Sequence, residues 1–68
     1  MIRSVKLTEI ETRCLQLAAD GLEARQVALQ VGRSEGSVKN LWKFAYEKLG
    51  ADNKAHAVAM ALRRGLIQ

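Results

Sequence analysis

The chain has 68 residues, 49% of them hydrophobic, with 11 Lys and Arg against 7 Asp and Glu and a formal net charge of +4. A chain of this length forms one domain with a small core, marginally stable alone and helped by self-association. A single cysteine, Cys14, rules out an internal disulfide, and with one histidine, His56, there are too few soft ligands for a structural zinc site.

No stretch reads as a signal peptide, and the apolar runs fall short of the roughly 20 residues that span a bilayer, so the expectation is a soluble, cytoplasmic protein. The pI near 9.7 favours a polyanionic partner.

Residues 1–6, with Arg3 and Lys6, read as a leading arm, and residues 7–68 as the domain, with Leu7 as the point where the arm docks. A first helix is predicted from about Thr8 to Asp20. Thr8 and Glu11 have the spacing of a capping box, Cys14, Leu15, Leu17 and Ala18 supply an apolar face, and Gly21 closes the helix. The second helix, about Glu23 to Val31, sets Val27, Ala28 and Val31 inward and Arg25, Gln26 and Gln30 outward. Gly32 and Arg33 then lead to Ser34, a good N-cap, so the link to the third helix has the size of a helix-turn-helix connection.

The third helix, Ser34 to Leu49, carries the most information. Val38, Trp42, Ala45 and Leu49 recur at steps of three and four, the period of a face packed on a core, while Lys39, Asn40, Lys43 and Glu47 point away. A helix is narrow enough for the major groove, and an exposed row of donors and amines is what reading DNA requires. Gly50 stops this helix. Asp52 or Asn53 caps a fourth, whose alanine-rich surface runs from Ala55 to Leu62 before Gly65. With no proline and no β-branched alternation, the expected fold is all-α with four helices.

Taken together, L-T-x-x-E at Leu7 to Glu11, Leu15, Gly21, V-A at Val27 and Ala28, S-x-x-S-V-K at Ser34 to Lys39, K-L-G at Lys48 to Gly50, Ala57 and the closing Gly65-Leu66-Ile67 resemble the LuxR-type helix-turn-helix domain, also called the GerE or FixJ type. The resemblance spans Leu7 to Ile67. It implies a four-helix DNA-binding domain with the third helix in the major groove and the fourth making a homodimer on an inverted repeat, the two readers about one DNA turn or roughly 34 Å apart. Members of this family usually carry a sensory or receiver domain, and the starting methionine favours a stand-alone member over an excised piece. Four positions depart from the pattern: Glu23 for a small hydroxyl cap, Arg33 for isoleucine in the turn, Leu41 for histidine, and Phe44 for a polar residue.

Individual residues carry alternatives. Lys39 and Lys43 can grip phosphates or donate to guanine, and Asn40 can pair with adenine or be a plain exposed residue. Glu35 and Gly36 stand closest to the base edges, where the carboxylate either accepts from cytosine N4 or repels phosphate. Ser34 and Ser37, at the positive end of the helix, and Lys48 are assigned to the DNA backbone. Trp42 and Phe44 lie about 200° apart around the helix, so Trp42 takes the core and Phe44 is left outside, in a small apolar patch with Leu41 and the stem of Lys48. Glu11, beyond its cap, can pair with Lys48 or Lys54 as a surface pair of about 0 to 1 kcal/mol. On the fourth helix Ala57, Val58 and Ala61 either make the dimer or pack within the monomer. Cys14 reads as a buried small hydrophobe, Tyr46 as a neighbour of Trp42, and His56 as exposed.

Nothing pairs a nucleophile with a base, so neither an enzyme nor a cofactor is expected. The leading reading is a sequence-specific transcriptional regulator. The rival is a stand-alone domain that binds a full-length LuxR-type regulator through the fourth helix, or through Leu41 and Phe44, and blocks it. A segment docking on RNA polymerase is a weaker third.

Overall fold

The computed structural model describes residues 6–68; residues 1–5 of the expected arm lie outside the described part. Four helices follow in order, α1 (Glu9–Ala19), α2 (Ala24–Val31), α3 (Glu35–Leu49) and α4 (Lys54–Arg63), with no strand among the described residues. The expected bounds differ from these only at the ends. Thr8, Glu23 and Ser34 sit one residue outside the helices they were expected to start, because an N-cap has extended rather than helical backbone.

Local chemistry sets each boundary. The Thr8 hydroxyl accepts from the Glu11 amide at 3.2 Å, and the Glu11 carboxylate accepts from the Thr8 amide at 2.8 Å, the reciprocal capping box. At α2, which lacks a small hydroxyl cap, the Gln26 side-chain oxygen accepts from the Glu23 amide at 2.8 Å, the returning half of a capping box. Asn53, not Asp52, caps α4, its Oδ1 accepting from the His56 amide at 2.9 Å. Gly32, between α2 and α3, has φ +69°, a left-handed backbone that side-chain-bearing residues rarely adopt and that turns the chain within the three residues Gly32, Arg33 and Ser34.

α3 packs against each of the other three helices, and α1 also touches α2 and α4. The inward stripe Val38, Trp42, Ala45 and Leu49 is buried as a unit. It meets Cys14 and Leu15 from α1, Ala24, Val27 and Ala28 from α2, Ala57 and Ala61 from α4, and Ile67 beyond α4. Leu7 packs on the edge of this core. α2 and α4 do not touch each other, so a cleft runs between them along one flank of α3. Among the described residues no helix is long and apolar enough to cross a membrane.

Candidate nucleic-acid interface

The reader helix is clamped from behind. Trp42 donates its indole N–H to the Cys14 carbonyl at 2.9 Å, and Lys48 reaches the Glu11 carboxylate at 2.7 Å, so α3 is bonded to α1 at two successive levels. With its inner face held in this way, the outer face of α3 has a set direction. Gly36, Lys39, Asn40 and Lys43 are all exposed along it, with Glu35 at its leading end. Lys39, with a side chain 64% exposed, lies 3.3 Å from the Glu35 carboxylate one turn earlier. That contact neutralises part of the acidic charge at the tip, and an exposed pair of this kind is weak enough to exchange partners. The Ser34 hydroxyl accepts from the Ser37 amide at 3.1 Å; Ser34 is exposed and Ser37 half-buried.

Three expectations need correction. Glu11 is only 4% exposed, so its contact with Lys48 is not a surface pair but one between a buried carboxylate and a half-buried amine. Lys48, one of the two partners expected for Glu11, is thereby drawn to α1 while 30% of its side chain stays exposed. Ala57 and Ala61 are fully buried inside the monomer and have no surface left for a second subunit. Of the three expected dimer residues only Val58 keeps part of its surface, and the outer face of α4 is formed by Ala55, His56 and Leu62. The apolar patch also shrinks: Phe44 is 50% exposed as expected, but Leu41 leans on the core.

Burial pushes the Cys14 thiol up, which makes it a poor nucleophile, and likewise raises the Tyr46 hydroxyl. His56 is exposed at the start of α4, where its Nδ1 accepts from the Asp52 amide at 3.2 Å. Two further features escaped the sequence reading. Leu29, 81% exposed on α2, follows from the wheel, since Val27 and Ala28 take the inward face. Lys54 lies with its amine 4.3 Å from the centroid of the Trp42 ring, a meeting of α4 with α3 that no local spacing signals.

Short α2, a tight turn and an outward-facing basic α3 braced by two more helices define a helix-turn-helix domain of the DNA-binding type. The profile of the family described as GerE, "Bacterial regulatory proteins, luxR family", matches residues 5–61, and the chain belongs to that family. It is 37% identical over 62 residues to the transcriptional regulatory protein YdfI of Bacillus subtilis (strain 168), covering 91% of this chain and 29% of that protein. Similarity to the transcriptional activator protein VanR of Vibrio anguillarum is 39% identity over 61 residues, covering 90% of this chain and 25% of the other. The chain thus spans less than a third of the curated relatives it matches. Among solved structures, the transcription factor GerE superposes with a TM-score of 0.89 at 29% identity, covering 97% of both chains. The phage VqmA–DPO complex does so with 0.84 at 30% identity, over 93% of this chain and 29% of the other.

Proposed function

We propose that the domain binds duplex DNA sequence-specifically as a cytoplasmic homodimer and thereby regulates transcription, with α3 in the major groove. The observation that carries this reading is the division of α3 into two faces: Val38, Trp42, Ala45 and Leu49 are buried, while Lys39, Asn40 and Lys43 are exposed on the same 15-residue helix. In this reading Lys39, Asn40 and Lys43 meet base edges, Glu35 and Gly36 enter deepest, and Ser34 and Ser37 meet phosphates through hydroxyls and first-turn amides. The dimer forms on the outer side of α4, around Val58 and Leu62, on an inverted repeat. Relatives named as a transcriptional regulatory protein and a transcriptional activator support the same assignment.

Selection of bound sites from random duplexes, followed by anisotropy titration across a salt series, tests it. A two-fold-symmetric site is expected, with a log–log slope steeper by about 0.9 for each phosphate neutralised. Lys39→Ala with Lys43→Ala should abolish discrimination, and unchanged affinity in that variant refutes the surface. Asn40→Ala should relax selection at one base pair by about 1–3 kcal/mol.

A second reading, pairing with a full-length LuxR-type regulator to block it, draws on Phe44, half exposed on the side of α3 where a groove reader is usually polar. Pull-down against full-length regulators beside the DNA titration separates the two.

A further inference from the structure

The cleft between α2 and α4 has a volume of about 620 Å³ and is lined by Glu23 and Arg25 from the start of α2, Glu35, Lys39 and Trp42 from α3, and Lys54 from the start of α4. Three cations face two carboxylates there, and one of those carboxylates, Glu35, is already paired with Lys39. Among the described residues no carboxylate lies within ion-pair distance of Lys54. What holds its amine is the face of the Trp42 ring, 4.3 Å away, while the indole N–H is tied to α1. An ammonium resting on a fixed aromatic face is positioned yet unneutralised, which spares part of the entropy that a free lysine loses on binding an anion. The cleft opens beside Lys39, on the flank of the base-facing row.

We propose that this cleft seats a phosphate of the DNA backbone alongside the groove that α3 enters, with Lys54 and Arg25 as its ligands and Trp42 as the platform for Lys54. The inference rests on the DNA-binding reading above and adds a contact that fixes how the domain lies on the duplex. It assigns Trp42 two jobs: an edge that locks α3 to α1, and a face that presents a cation. Glu23, exposed at the lip, opposes the anion and tempers affinity.

The test uses labelled mixed-sequence duplex with the whole chain, because a phosphate contact is indifferent to sequence. Lys54→Met, which keeps an apolar stem over the indole, and Arg25→Met should each lower the salt slope by about 0.9 and weaken binding about fivefold near 0.15 M salt, equally on every sequence. Glu23→Gln should tighten binding. Arg64→Met, the same loss of charge at the far end of α4 and about 15 Å away at 1.5 Å per residue, should leave the slope unchanged. Trp42 is the only tryptophan, so its emission reports on the seat directly: duplex should shift it in the wild type and not in Lys54→Met. Thermal unfolding of each variant shows that it remains folded.

Duplex binding by Lys54→Met with the wild-type slope, or a loss equal to that in Arg64→Met, overturns the phosphate seat and leaves the DNA-binding reading standing. A wild-type chain that binds no duplex overturns both. A Trp42 response to inorganic phosphate matching that to duplex overturns the assignment to the DNA backbone.

Discussion

The indole Nε1 of Trp42 donates to the carbonyl oxygen of Cys14 across 28 residues of sequence, at 2.9 Å and out of contact with water. Together with the buried stripe and the Lys48–Glu11 contact, that bond holds the roll of α3 about its own axis, because the ring cannot turn without leaving a buried donor unpaired. The outer face of α3 takes its direction from these contacts on the inner one.

Trp42→Phe keeps an aromatic ring but loses the donor and part of the volume. The Cys14 carbonyl lies within α1 and keeps the helical bonding of its own element, so the cost is one net hydrogen bond and some packing, about 1–2 kcal/mol in urea unfolding. DNA affinity should fall by more than stability alone accounts for, since α3 gains freedom to roll.

Glu11 makes the fold sensitive to acid. Burial by itself raises its carboxyl, but the hydrogen bond and charge of Lys48 and the bonds to Thr8 outweigh that and hold it below the ordinary value of 4.5. A carboxyl depressed in the folded state contributes stability that is fully present above its unfolded value and is lost as the pH falls through the folded one. Urea midpoints measured downward from about pH 5 should therefore decline, and the decline should be shallower in Glu11→Gln, which is also less stable at neutral pH. Lys48→Met leaves the buried carboxylate with Thr8 alone and should cost about 2 kcal/mol.

Neighbouring positions on α4 should behave oppositely. Ala61 is fully buried, so Ala61→Leu overpacks the core and lowers stability by about 1–3 kcal/mol. Leu62 is 46% exposed, so Leu62→Glu should leave stability within about 0.5 kcal/mol while weakening the proposed dimer in sedimentation equilibrium. A dimer that survives Leu62→Glu and Val58→Asp together does not use this face.

Gly36 separates stability from function. It is helical, and a Cβ added there meets nothing within 4 Å, so Gly36→Ala should stabilise the domain by about 0.5–1 kcal/mol. If the first turn of α3 lies against base edges, the same methyl group should weaken DNA binding. Higher melting temperature with unchanged affinity would move Gly36 out of the interface.

Much of the architecture was legible in the chain because it is written in local rules. The capping box of Thr8 and Glu11, the Ser34 cap and the stripe Val38, Trp42, Ala45 and Leu49 each depend on residues three or four apart, and each formed as expected. The candidate site was legible in part. A helix wheel separates Lys39, Asn40 and Lys43 from the core, but it cannot say which amine another helix will claim. Lys48 belongs to the same helix as those three and is drawn instead to Glu11, 37 residues away.

The sequence by itself thus determined where the helices start and stop and which stripe of each turns inward, since hydrogen-bonding caps and a 3.6-residue period act within a few residues. Only the tertiary structure decided that Glu11 is buried and captures Lys48, that Ala57 and Ala61 face the core and not a second subunit, and that Lys54 rests on Trp42. Those outcomes depend on how α1 and α4 cross α3. Crossing is chosen by the packing of whole faces, which no short window of residues contains.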